Sequence, residues 1–147
     1  MINKDIRSKE ELKAYSDAKF ASVSKYCKEV NTIATQFYTD ADKMSLMQYE
    51  IIERKLVGVY TFINTVYKEV SAYTDSYEDI YFTHLKVKAE IDGVKFVAES
   101  AGRESREMAK DLRIVTASLE GWVNNIDQLL CTTRRNLYIE KKERHHG

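Results

Sequence analysis

The chain is 147 residues long, has no proline and only five glycines, and balances 23 basic against 23 acidic residues. That length suits one domain over residues 1–147, and long unbroken runs of aliphatic and charged residues exclude a sheet with its many turns, leaving an all-α fold. Zero net charge excludes a chain that attracts polyanions as a whole, so any nucleic-acid site has to be local.

No stretch of 18 apolar residues occurs, and the N-terminal "MINKDIRSKEELK" is charged where a signal peptide needs an apolar segment. The expectation is a soluble, cytoplasmic protein with no membrane partner. Cys27 and Cys131 lie far apart without a CxxC spacing, which points to neither a zinc site nor a disulfide framework.

In chain order, Ser8 precedes Glu11 at the capping-box spacing, so a first helix begins after Ser8 and runs to about Tyr38. Its apolar stripe is Leu12, Tyr15, Val23, Tyr26, Val30, Ile33 and Phe37. "YTDADK" supplies Thr39, Asp40 and Asp42 as turn or cap residues, and a second helix is expected to restart near Asp42.

From Leu56 the apolar positions step by three and four: Leu56, Val59, Ile63, Val66, Val70, Tyr73, Tyr77, Ile80, His84, Val87, Ile91, Val94, Ala98 and Ala101. After Ser105 the register continues through Met108, Leu112, Val115, Leu119, Trp122, Ile126 and Leu129. A heptad sustained this long implies coiled-coil-like helix association. Breaks are expected at "SAYTDSYED" around Asp75 and "AESAGRES" around Gly102, giving three to five long amphipathic helices. Gly58, Gly93 and Gly121 fall inside helical pattern and are read as points of close helix contact.

HExxH, paired Glu-x-x-His and GxxxxGK[ST] patterns are absent from the sequence. His84 reads as a packed structural residue, His145 and His146 as an exposed pair, and Glu107, Lys110 and Asp111 as partners along one solvated face. No catalytic residue, metal ligand or cofactor is assigned, and the protein is expected not to be an enzyme.

A binding surface is the remaining chemistry. "HLKVKAEIDGVKF" gathers Lys86, Lys88 and Lys95 near Phe82 and Phe96, and "ERKL" adds Arg54 and Lys55, while Tyr60, Tyr67 and Tyr81 share one heptad position. Single-strand binders join basic grooves that track phosphates to rings on which bases stack. Tyrosines flanking a seam are more usually half-buried packing residues, with lysines beside them solvating the outer face. The last seventeen residues, "CTTRRNLYIEKKERHHG", carry five Lys/Arg against two Glu.

The stretch "KDLRIVTASLEGW" resembles the UvsY-type recombination mediators of T-even-like phages. Members of that family have Lys-Asp, an aliphatic and a basic residue, then Ser-Leu shortly before a tryptophan, followed by an amphipathic helix with basic residues. Here these are Lys110, Asp111, Leu112, Arg113, Ser118, Leu119 and Trp122, then Arg134 and Arg135. "EELK" and "ERKL" are similar to the family's N-terminal half.

The family's basic motif, Leu-Lys-Ala-Arg-Leu-Asp followed by tyrosines, is replaced here by "VGVYTF", and its nearest equivalent is "LKVKAEID", Leu85 to Asp92. Either Lys86 and Lys88 take the role from this later position or the site is built anew.

The resemblance implies a non-enzymatic, phage-encoded protein of the host cytoplasm. Such a protein binds single-stranded DNA, forms a homo-oligomeric ring, and helps load a RecA-like recombinase onto DNA coated by single-strand-binding protein, in recombination, repair and replication. Residues from about 8 to about 104 would form a helical body with the DNA-binding surface, and about 105 to about 140 the oligomerisation helix, through Leu112, Val115, Leu119, Trp122, Ile126 and Leu129. The other reading is a helical phage structural or adaptor protein that assembles with protein partners and touches no nucleic acid.

Overall fold

The computed structural model describes residues 4–146, without the side chains of Ala41, His145 and His146; the pair expected to be exposed at His145 and His146 therefore lies outside the described residues. The chain is all-α. Helix α1 runs Lys9–Asp40, α2 Leu46–Asp92, α3 Ala98–Met108 and α4 Lys110–His146, with a 3-10 turn at Ala41–Lys43 and no strand among the described residues.

The expected start of α1 is set by its cap. The Glu11 backbone N–H donates to Ser8 Oγ at 3.1 Å and the Ser8 N–H to Glu11 Oε1 at 3.3 Å, so two groups that the helix ladder leaves unpaired satisfy each other. The second helix restarts later than Asp42 because the same device recurs at Ser45 and Gln48: Gln48 N–H reaches Ser45 Oγ at 3.2 Å, and Ser45 N–H reaches Gln48 Oε1 at 2.7 Å.

The expected breaks at Asp75 and Gly102 are not there; both residues are helical. Neither stretch holds a residue that must leave helical backbone, whereas Gly93 does, at φ +66°. The Val94 N–H bonds to the Ala89 carbonyl at 3.0 Å and the Gly93 N–H to Glu90 at 3.3 Å, the paired bonds of a glycine-terminated helix end. Gly58 and Gly121 mark no close contact, since a Cβ at either would meet nothing within 4 Å. Gly93→Ala is expected to lower stability by about 1 kcal/mol, because only glycine adopts this φ without steric cost; a urea titration of both proteins checks it.

The chain divides into two compact units, each drawn from separate parts of the sequence. The first comprises residues 1–20 and 67–118. Its centre is Leu12, Tyr77, Ala109 and Leu112, with Tyr15, Tyr73, Tyr81 and Met108 packed around them. Tyr77 is 1% exposed, and its hydroxyl donates to the Arg7 carbonyl at 2.9 Å while accepting from the Arg7 N–H at 3.3 Å. Buried hydroxyls are satisfied on their own helices: Ser16 on the Leu12 carbonyl and Ser105 on Ala101 at 2.8 Å, and Thr74 on Val70 at 2.7 Å.

The second unit comprises residues 21–66 and 119–147. Its core is built from Val23, Cys27, Val30 and Ile33 of α1, Met44 after the turn, the α2 positions from Tyr49 to Val66, and Leu119, Val123, Ile126, Leu130, Thr133 and Leu137 of α4. Phe37 stacks on Tyr49 with centroids 6.0 Å apart, and Tyr26 meets Phe62 at 4.6 Å.

Burial does not follow one heptad register from Leu56 to Leu129. It takes Thr74 in place of Tyr73, passes from Met108 to Ala109, and on α4 passes from Trp122 and Leu129 to Val123 and Leu130. A straight helix turns every 3.6 residues, so a 3.5-residue pattern slides across its face by about 20° per heptad, and the neighbouring column takes over the core.

Candidate nucleic-acid interface

The five cations singled out in the sequence do not all belong to one unit. Lys86 and Lys88 lie in the last two turns of α2 and Lys95 in the connection to α3, all exposed in the first unit; Arg54 and Lys55 are exposed in the second. Lys55 borders a shallow groove of about 190 Å³ shared with Glu29, Gln36 and Ile51, not a basic face. None of the five forms an ion pair among the described residues.

The aromatic residues are used in packing. Phe82 and Phe96 meet edge to face at 5.4 Å and 86°, which folds the connection back onto α2. Tyr60, Tyr67 and Tyr81 are all half-buried, and Tyr81 sits between Tyr77 (6.2 Å) and His84 (5.8 Å) with its hydroxyl donating to Glu104 at 3.5 Å. Tyr81 is thus a packing residue of the first unit. His84 is half-buried against it, and no cluster of three metal-binding side chains occurs among the described residues.

The structure adds a second basic group. Arg103 and Arg106 of α3 and Lys110 of α4, with Glu107, Arg113, Ile114 and Ala117, line an open groove of about 560 Å³ in the first unit. The signal was present: positions 103, 106, 110 and 113 step by three and four like an apolar stripe, but in basic residues. It was masked by the acidic residues between them.

The structure directs those acids elsewhere. Glu107 takes Lys9 at 3.3 Å in place of Lys110. Glu78 grips Arg113 through both carboxylate oxygens, the Nη2 contact being 2.6 Å, and holds its guanidinium pKa further up. Arg103, Arg106 and Lys110 are exposed and form no ion pair among the described residues.

No protein-family model, curated protein or solved structure matches the chain. Several residues of "KDLRIVTASLEGW" have structural work to do. Leu112 and Leu119 are at 0% exposure, Arg113 is held by Glu78, and Arg134 beyond the motif contacts Glu53 at 3.3 Å.

The stripe expected to oligomerise is largely internal. Leu112, Leu119 and Ile126 are at 0% and Val115 at 6% exposure within a single chain, while Trp122 and Leu129 are half-buried. A heptad records that a helix is covered, not whether the cover comes from the same chain. The first four are thus core residues, and any contact made by this face of α4 is left to Trp122 and Leu129. No helix among the described residues is long and apolar enough to cross a membrane.

Burial raises the hydroxyl pKa of Tyr15, Tyr77 and Tyr81 above the ordinary value, for Tyr77 against the lowering effect of its bond to the Arg7 backbone. Lys19, held by Glu69 at 2.5 Å, is also raised, chiefly by that hydrogen bond. In each case the folded state holds its proton more tightly than the unfolded chain. Their contribution is complete below the unfolded pKa of about 10 and is lost as pH rises through the folded values. The urea midpoint is expected to show no loss from these groups between pH 7 and about 9, and to fall above about 10.

Proposed function

We propose that the chain is a recombination mediator without catalytic chemistry. In this reading it binds single-stranded DNA through its first unit and, as a homo-oligomer, assists loading of a RecA-like recombinase onto DNA coated with single-strand-binding protein. The observation that supports it is the set of exposed cations on successive elements of one unit: Lys86 and Lys88 on α2, Lys95 in the connection, Arg103 and Arg106 on α3, and Lys110 on α4.

Such an array suits phosphates. From 103 to 110 the cations advance by about 10 Å at roughly 1.5 Å per residue, enough to track neighbouring phosphates of an extended strand. With Tyr81 and Phe96 packed, recognition rests on backbone charge and carries little base preference. An oligomer multiplies the modest attraction of a neutral subunit through effective concentration. Fluorescence anisotropy with a labelled single-stranded oligonucleotide at low salt tests the reading; absence of binding there would overturn it.

The adaptor reading is favoured by a different feature, the exposed apolar residues Val87, Ile91, Val94 and Val97. It expects protein association with no salt-dependent binding of DNA.

A further inference from the structure

Arg113 lines the basic groove of the first unit with Arg106 and Lys110, but unlike them it is held by the chain. Its guanidinium meets Glu78 of α2 along one edge: Nε and Nη2 each donate to a carboxylate oxygen, the Nη2 bond being 2.6 Å. A guanidinium carries five N–H groups in a rigid plane, and this pairing uses two of them. Both N–H groups of Nη1 and the outer one of Nη2 form the far edge, which no group takes among the described residues. The Glu78 side chain is 17% exposed and that of Arg113 51%, so the acceptor is the enclosed end of the pair and the fork its open end.

What Arg113 offers an anion is direction more than charge. Glu78 offsets its positive charge, and Asp75 one turn earlier adds a weaker attraction. An unpaired arginine loses rotamer freedom when it binds, whereas a carboxylate that holds one edge of the guanidinium makes that ordering part of folding. The far edge presents two parallel N–H groups, the arrangement that matches two oxygens of one phosphate. Arg106 and Lys110 precede Arg113 on the same helical stripe, so an anion at its far edge lies in basic surroundings.

We propose that Arg113, positioned by Glu78, is a bidentate site for a backbone phosphate of single-stranded DNA in this groove. The proposal rests on the nucleic-acid reading above and adds to it a contact that works through geometry. Salt distinguishes it from the exposed cations. A charge already neutralised by Glu78 releases no counterion on meeting a phosphate, so the contact strengthens binding by the same factor at every salt concentration.

Arg113→Lys tests the fork. Lysine keeps the charge and a partner for Glu78, but its single nitrogen has no second edge to present. Fluorescence anisotropy of the full chain with a labelled thymidine oligonucleotide, from about 0.05 to about 0.3 M salt, is expected to show affinity about tenfold weaker at every concentration, with the log–log slope unchanged. Glu78→Gln combined with Arg113→Gln removes the pair without changing net charge, and is expected to show the same loss and the same slope. Urea midpoints of both variants report on the fold, since a pair that only joins α2 to α4 would lower the midpoint and leave the affinity alone. Arg113→Lys binding as tightly as the parent, or a double variant whose slope is flattened by about 0.7, as for a lost free cation, would overturn the proposal while the nucleic-acid reading stands. A parent chain that binds no oligonucleotide at low salt overturns both.

Discussion

Leu119→Ala is expected to destabilise the folded chain by about 3 to 4 kcal/mol, a loss that is the same at every protein concentration. Leu119 is at 0% exposure in the second unit, in a core that also holds Val123, Ile126 and Ile63. Truncation removes the transfer energy of the lost atoms and leaves a cavity that helices closed on several sides do not fill. Urea titrations at two protein concentrations tenfold apart, followed by circular dichroism, separate this from a role between subunits. If Leu119 served an oligomer, the loss caused by the substitution would change on dilution and the variant would remain a folded, smaller species. If it serves the subunit, the variant loses the fold at both concentrations by the same amount.

That distinction marks where the sequence stopped being informative. The helical class, the start of α1 and the stripe from Leu12 to Ile33 were legible because they depend on nearest neighbours: cap spacing and a period of about 3.6. The end of α2 is hidden in the sequence for a different reason. Gly93 looked like one more glycine inside a helical pattern, and only its φ of +66° shows that the helix stops there. Conversely, the turn residues around Asp75 and Gly102 look like breaks, although isolated Asp, Ser and Gly are tolerated inside a helix whose other residues are covered. Ser45 and Gln48 form a capping box as local as that of Ser8 and Glu11, and it starts α2 after Asp42.

The candidate site was legible only in part, for electrostatic reasons. Lys86, Lys88 and Lys95 stand out in sequence because few acids interrupt them. Arg103, Arg106 and Lys110 alternate with Glu104 and Glu107, and linear order does not tell which acid neutralises which base. That assignment is made by residues far along the chain: Lys9 draws Glu107 and Arg113 draws Glu78, across 98 and 35 positions. Arg54 and Lys55 fall in the other compact unit from Lys86, Lys88 and Lys95, because proximity in the sequence pattern does not place two groups in one unit.

The cations of the first unit lead to the other large expected effect. If Lys86, Lys88, Lys95, Arg103, Arg106 and Lys110 all meet phosphates, the affinity for single-stranded DNA should fall with salt at a log–log slope of about −4, at roughly 0.7 per contact. Replacing Arg103, Arg106 and Lys110 together by alanine is then expected to flatten the slope by about 2 and to weaken binding at 0.1 M salt by about 100-fold. Exposed side chains on the solvent face of α3 and α4 should be removable with little loss of stability, so folding and binding are separable. Arg54→Ala combined with Lys55→Ala provides the contrast: these residues lie in the other unit, and their loss should leave the slope unchanged. A slope that responds to Arg54 and Lys55 but not to Arg103, Arg106 and Lys110 would move the interface to the second unit. Equal loss of affinity at every salt concentration would show that the three side chains act through contacts other than charge, because only released counterions make an affinity depend on salt in this way.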